Sequence, residues 1–309
     1  MYAKSRSPAL VFGRGGRLGR FLHLGDTPII AVSALQLLEE AKSTHSLKTI
    51  ATRRTTQAIV DSGCSAIIYL AGLSRPSDCE ENPKLSEHLN ILLPSWLASL
   101  ACDSGVNFVY ASSEYVYDNC AGKRPFDEDA SLMPRSLYGQ HKLDGERGVL
   151  MRGGGNVYIL RLGKGIDVSL QTDGIFTDAL QTAFCNRPVL AASDQYFNPF
   201  DVTALGSIMQ GLMLNDLPGI YNVGSREVVS RFEFLELFRK ESRIDWFKLS
   251  ECSLGDILGN QQTSNAYLGM NTTKLLRLMP AEIATAELIA AASAANSKEW
   301  LSKYKSDRS

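Results

Sequence analysis

Tyr138-Gly139-Gln140-His141-Lys142 sets a phenol and an amine four residues apart, and Ser113 stands 25 residues before that tyrosine. On a helix, positions i and i+4 share one face about a turn apart. An ammonium so placed stabilises a phenolate and draws a tyrosine pKa down from its usual ~10. A phenol tuned towards neutrality is a general acid or base for carbonyl–alcohol chemistry, and a serine hydroxyl can hydrogen-bond the same oxygen. The spacing alone is common, and its meaning depends on what stands upstream.

Upstream, Leu10-Val11-Phe12 leads into Gly13-Arg14-Gly15-Gly16-Arg17-Leu18-Gly19. An apolar run feeding glycines at 13, 16 and 19 reads as a strand, a tight turn and the N-terminus of a helix. Gly13 would make the turn, Gly16 would let a pyrophosphate approach the backbone N–H groups, and Gly19 would permit tight helix–strand packing. By itself the stretch also fits a glycine-rich surface loop. The serine and the tyrosine–lysine pair further on favour a dinucleotide site.

These groups need a scaffold to bring them together. Apolar runs at Ala9–Phe12, Ile29–Val32, Ala66–Leu70, Asn107–Ala111 and Val157–Leu160 read as strands. Leu89–Cys102, Tyr138–Leu150 and Thr177–Phe184 read as helices, with Pro94 in the first turn of its helix or kinking it. The alternation predicts an α/β fold with a parallel sheet and crossover helices. The expected division is a dinucleotide-binding domain over residues 1–165 and a smaller substrate lobe over 166–309. Turn signals at Asn198-Pro199 and Leu217-Pro218-Gly219 punctuate the second.

Together these residues resemble the extended short-chain dehydrogenase/reductase superfamily, and within it the dTDP-4-dehydrorhamnose reductase family. Ser112-Ser113-Glu114-Tyr115-Val116-Tyr117-Asp118, Pro125-Phe126-Asp127-Glu128 and Tyr138 to Glu146 carry the resemblance, with Asn90 at a family asparagine that opens a helix. Asp194-Gln195 with Pro199 and Asp201, Gly219 to Gly224 and Asn271 to Leu275 are looser counterparts. The resemblance implies a Rossmann-like doubly wound parallel sheet to which the chain returns within the second half. It implies Ser113, Tyr138 and Lys142 as catalytic residues. Gly13, Arg14, Gly16, Arg17, Leu18, Gly19, Ser33, Ala71, Gly72, Asn90, Tyr138 and Lys142 would face the cofactor. Ser113, Glu114, Tyr115 and Arg161 would face a nucleotide-sugar substrate. Lys142 would also hold the nicotinamide ribose, Asn90 is either a water-relay residue or a helix cap, and Tyr115 either positions substrate or packs. Arg161 either meets substrate phosphates or makes a structural ion pair. A homodimer built on the helices at 89–102 and 138–150 is implied as well.

Departures from the family pattern bear on the cofactor. The first helix reads as about one turn short, because Gly25-Asp26-Thr27-Pro28 follows soon after Gly19. Ser33 stands where an NAD site expects an acid, about 20 residues beyond the first glycine. A serine does not repel a 2′-phosphate, and Arg14 or the Arg53-Arg54 pair would face one, so NADP is expected with NAD possible. Leu47-Lys48-Thr49-Ile50, read as the third strand, lacks the aspartate that would meet adenine.

The reaction is read from Ser113-Glu114-Tyr115. Dehydration needs one group to take a carbon-bound proton and another to protonate the leaving hydroxyl, whereas here a single carboxylate is followed by tyrosine. The expected reaction is therefore NAD(P)H-dependent reduction of a nucleotide-linked 4-keto-6-deoxy sugar. The alternatives are an epimerase or dehydratase of the same superfamily, or a non-catalytic NADP-binding regulatory subunit.

The bulk composition agrees with a soluble cytoplasmic enzyme. The 309 residues carry a net charge of −1, giving no field for nucleic acid or a membrane surface. Cysteines 64, 79, 102, 120, 185 and 252 show no metal-ligand spacing and read as reduced thiols. No run approaches the ~18 apolar residues of a membrane helix, and Met1 to Ser7 lacks a following apolar signal core. The four histidines call for no role, with His141 facing solvent.

Overall fold

The computed structural model describes residues 7–44, 47–117, 124–259 and 267–307; Cys120 and Asp118 lie outside them. The strands are β1 (Ala9–Phe12), β2 (Ile29–Val32), β3 (Ala66–Tyr69), β4 (Asn107–Ser113), β5 (Val157–Leu162) and β6 (Lys164–Ile166). They continue with β7 (Val189–Ala192), β8 (Tyr196–Phe197), β9 (Pro199–Asp201), β10 (Gly219–Val223), β11 (Val229–Ser230) and β12 (Leu249–Cys252). The helices begin with α1 (Ala34–Thr44), α2 (Leu47–Ser62), α3 (Pro76–Glu81), α4 (Pro83–Glu87), α5 (Leu93–Asp103) and α6 (Leu137–Arg152). After them come α7 (Ile175–Phe184), α8 (Leu205–Leu214), α9 (Arg231–Ser242), α10 (Leu254–Leu258), α11 (Thr273–Leu278) and α12 (Ala286–Ser306).

The chain forms two compact units whose segments interleave. One comprises residues 1–117, 131–162 and 205–221, and the other 118–130, 163–204 and 222–309. The first holds a six-stranded sheet in the order β10-β5-β4-β3-β1-β2. Strands β1 to β5 pair in parallel, Phe12 opposite Val32 and Tyr69, Tyr69 opposite Tyr110, and Tyr110 opposite Ile159. Every residue of β1, β3 and β5 is buried, as expected of a parallel sheet covered on both faces. Leu93, Leu97, Ala98 and Ala101 of α5 pack with Leu10, Ile67, Phe108 and Ile159 in its core. The second unit has an aromatic core in which Phe176 and Phe238 stack with centroids 4.3 Å apart.

Two expectations about the start of the chain are corrected. No α-helix follows the glycine loop; the chain makes a single 3₁₀ turn over Gly19–Phe21 and then turns towards β2. Nor is Leu47–Ile50 a strand, since it opens α2. Thr55 and Ile59, four apart on α2, are both buried, a helical rather than an alternating pattern. The sheet therefore ends at β2, whose residues are largely half-exposed.

Before α5 the chain makes a π-helical turn over His88–Leu92, and Pro94 accounts for part of it. The Leu93 N–H reaches back five residues to the His88 carbonyl, and Pro94 has no N–H to donate. The carbonyls of Leu89 and Asn90 thus lose their usual partners. Tyr69 Oη donates to Leu89 O at 2.7 Å, and Tyr110 Oη donates to Asn90 O at 2.8 Å. Both tyrosines are fully buried on neighbouring strands, so the sheet's side chains complete the helix's backbone bonding. Tyr69→Phe and Tyr110→Phe should each lower stability by about 1–3 kcal/mol, the cost of an orphaned buried carbonyl, in denaturant unfolding.

Candidate active site

Helix α6 begins at Ser136, whose hydroxyl accepts from Gly139 N at 3.1 Å, a normal N-cap. From that start Tyr138, Lys142 and Glu146 fall at i, i+4 and i+8 and are all buried, one stripe of the helix laid against the end of β4. Ser113 acts on the Tyr138 phenol and lowers its pKa, Lys142 Nζ donates to Ala111 O, and Glu146 accepts from Ser112 Oγ. Gly145 lets the helix come this close: a Cβ there would stand 2.2 Å from Asn90 O and 2.4 Å from Tyr110 Oη.

Glu146 is in turn held by Arg161 of β5, through Nη2 to Oε2 at 2.8 Å and Nε to Oε1 at 3.0 Å. Arg161 Nη1 donates to Tyr117 Oη at 2.8 Å. The guanidinium is 2% exposed. This corrects the assignment of Arg161 to substrate: its donors to Glu146 and Tyr117 are committed inside the fold, and it braces α6. Ser113 accepts from Tyr115 N at 3.4 Å and caps the 3₁₀ turn Glu114–Val116. Glu114 is buried, and the Tyr115 ring meets Tyr138 edge-on at 5.4 Å.

Burial pushes the Tyr138 phenol up to about 12, with Ser113 partly offsetting it and Cys79 and Glu114 adding to it. The expected depression by Lys142 is not what the geometry produces. Lys142 lies 4.2 Å over the Tyr110 ring, and burial brings its ammonium down to about 7 against the opposing pull of Glu146. A phenol that keeps its proton is suited to act as an acid.

The remaining residues divide. Gly13, at φ +88°, would carry a Cβ 2.7 Å from Ala71 N, and a Cβ on Gly19 would stand 2.1 Å from Gly13 O; the loop is closed tightly on itself and on the end of β3. Arg14 Nη1 donates to Gly19 O, and Ser33 caps α1 by accepting from Gln36 N at 3.1 Å. Arg54 pairs with Glu40 at 3.1 Å. Arg17 and Leu18 lie in the loop's outer turn, Arg17 exposed and Leu18 half-buried. Asn90 is fully buried, its amide donating to Leu73 O at 3.2 Å and Ser86 Oγ at 3.1 Å, with Gly72 beside it. Gly15 and Gly16 are exposed, and a Cβ on Gly15 would meet nothing within 4 Å. This bare backbone fits the phosphates of a dinucleotide, but a three-residue turn supplies no helix dipole to them.

Sequence reasoning missed Tyr110 beneath Lys142, and it missed Glu146 as a functional position, although the eight-residue spacing from Tyr138 marked it. His141 is also not simply solvated: it is half-buried with Nδ1 2.8 Å from Ser86 Oγ. Among the described residues no cluster of three or more His, Cys, Asp or Glu could hold a metal, and no helix is long and apolar enough to cross a membrane.

The model of the RmlD substrate binding domain family matches residues 8–279. Among curated proteins, methionine adenosyltransferase 2 subunit beta of Xenopus laevis is 40% identical over 89 residues, covering 29% of this chain and 26% of that protein. The Rattus norvegicus protein of that name is 25% identical over 216 residues, covering 68% and 64%. The matches thus span from about a quarter to just under two thirds of those relatives' length. The structure of a dTDP-4-dehydrorhamnose reductase from Yersinia enterocolitica superposes with a TM-score of 0.80 at 18% identity, over 94% of this chain and 99% of that one. One from Bacillus anthracis, in complex with NADP, gives 0.78 at 19%, over 92% and 97%. At these identities the likeness establishes the fold.

Lys142 yields a pH signature. Its native pKa of about 7 lies below the unfolded ~10.4, so between those values the unfolded chain holds more protons and stability rises with pH. Lys142→Met should remove this rise, with the variant comparing best with wild type near pH 6 and worst near pH 9 in unfolding titrations. Equal pH slopes would show that Lys142 is not buried as an amine.

Proposed function

The chain belongs to the RmlD substrate binding domain family, and on that premise we propose that it reduces the ketone of a nucleotide-linked 4-keto-6-deoxy sugar with NADPH, NADH being possible. The observation that carries this reading is the stripe that buries Tyr138 and Lys142 together at the end of β4, where Ser113 is also buried, with the phenol held protonated near 12. The NADP in the Bacillus anthracis structure and the bare Gly15–Gly16 backbone support the cofactor. The loop from Gly13 to Gly19, together with Tyr138 and Lys142, would hold it, and when bound it supplies the hydride. Ser113 orients the carbonyl oxygen, and Tyr138 donates its proton as that oxygen becomes an alkoxide. Lys142, poised near 7, keeps positive charge beside the site below neutrality. Tyr115 packs on Tyr138 where a dehydratase would need a second carboxylate, which favours reduction over elimination.

A second reading is favoured by one observation, the 40% identity to a protein named as a beta subunit. In that reading the chain binds NADP and acts as a non-catalytic, regulatory partner. Oxidation of NADPH with a nucleotide-linked 4-keto-6-deoxy sugar separates the two. Wild type should turn over, and Tyr138→Phe should lose about 10²–10⁴-fold, the usual worth of a general acid. Tight NADPH binding without turnover would establish the second reading instead.

A cytoplasmic homodimer completes the proposal, with the faces of α5 and α6 in the subunit contact. Leu150 and Met151, at the end of α6, are 46% and 73% exposed, which supports a covered position. Sizing at micromolar concentration should give twice the 33.8 kDa chain mass; elution as a single chain would remove the dimer.

A further inference from the structure

One buried polar chain in the first unit has no part in the chemistry of Ser113, Tyr138 and Lys142. It starts at Asn90, whose fully buried side chain straddles the turn after β3. The amide nitrogen donates to Leu73 O at 3.2 Å and to Ser86 Oγ at 3.1 Å. Oδ1 has no hydrogen-bond partner among the described residues and lies against Gly72, where a Cβ would stand 2.4 Å from it. Turning the amide over would set this oxygen against the Leu73 carbonyl, so the two acceptors fix its orientation. Asn90 thus grips the backbone of Gly72 and Leu73 from below.

Ser86 is fully buried too, and it has a single proton to place. Its oxygen accepts from Asn90 and lies 2.8 Å from Nδ1 of His141, half-buried on α6. With the imidazole neutral and its proton on Nε2, Ser86 donates to Nδ1, and both its bonds are made. With the imidazole protonated, Nδ1–H becomes a donor, and the serine proton must turn elsewhere. Ser86 also acts on the Cys79 thiol, which burial raises and Ser86 partly offsets. Sulfur accepts only weakly, and that thiol is turned to Leu73 O at 3.7 Å.

The groups facing His141 come from three helices. Burial lowers its pKa against the pull of Glu87 on α4, Asp144 on its own helix and Glu80 on α3. Asp144 is engaged by Gln140 and Arg147, and Glu80 accepts from Leu137 N at 3.3 Å. Lys142, next in sequence, is turned to Ala111 O. Burial leads among these, so the imidazole is neutral at pH 7 and the chain is intact.

We propose that Ser86 and His141 are positioning residues for the cofactor: through Asn90 they hold the Gly72–Leu73 turn in the shape against which the dinucleotide lies, and protonation of His141 loosens it. This rests on the reading that NADPH binds along the glycine loop and the Tyr138–Lys142 pair. Cofactor affinity therefore falls as pH falls through the pKa of His141, because the ligand favours the form with the neutral ring.

The test is fluorescence titration of NADPH binding without sugar, from about pH 7.5 down to about pH 5, in wild type, His141→Gln and Ser86→Ala. Lys142, near 7, titrates in all three proteins and cancels in their ratio. The wild-type affinity, divided by that of His141→Gln, should fall about 3- to 10-fold over this range, the worth of one hydrogen bond. Ser86→Ala should bind more weakly than wild type at the upper pH, and its profile should run parallel to that of His141→Gln. A merely structural serine would weaken binding without changing the profile. A constant ratio overturns the proposal, as does a Ser86→Ala variant that keeps the wild-type pH dependence. If Ser86→Ala does not fold, the ratio for His141→Gln, at a half-buried position, decides alone. The expected ratio in a protein that reduces no keto sugar would keep this inference while removing the reductase. Turnover with a constant ratio would do the reverse.

Discussion

The first unit depends on one contact, the stripe of Tyr138, Lys142 and Glu146 against the end of β4. Each of the three meets a different group of that strand: Ser113, the Ala111 carbonyl and Ser112. Because Glu146 is also tied to Arg161 on β5, the helix cannot rotate or slide without breaking a buried ion pair, a loss of about 3–5 kcal/mol when one partner is removed. The ion pair thus sets the depth and rotation of the helix, and with them the position of the phenol. Tyr110 joins this assembly to the π turn, with Lys142 above its ring and its hydroxyl on Asn90 O.

Burial shifts the two titrating groups of the stripe in opposite directions for one reason: it disfavours charge. The phenol rises to about 12 and the ammonium falls to about 7. Near neutral pH the tyrosine is therefore uncharged and the lysine is close to half-protonated. The lysine's contribution here is charge near the site, with its Nζ on a strand carbonyl, and not a depressed tyrosine pKa.

The glycine loop follows another logic. Its tight closure comes from backbone contacts that leave no room for side chains at Gly13 and Gly19, while Gly15 remains open. The crossover helix that would usually lend such a loop its positive end is reduced to one 3₁₀ turn.

Much of this was legible in the residues. The strands β1 to β5 and helix α6 followed from apolar runs and from spacing, because local periodicity reports which face of an element is buried. The parallel α/β class and family membership followed from the same stretches. Other features had no local signal. Leu47–Ile50 is short, and only its continuation into Thr55 and Ile59 on one buried face made it helix rather than strand. The role of Arg161 was open because an arginine at the end of a strand fits an ion pair or a phosphate equally well, and Glu146, which decides it, lies 15 residues away. The tyrosine and lysine pKa shifts were likewise decided by tertiary structure. Their spacing along the helix brings them to one face, but burial and the nearest carbonyl determine which proton each will hold.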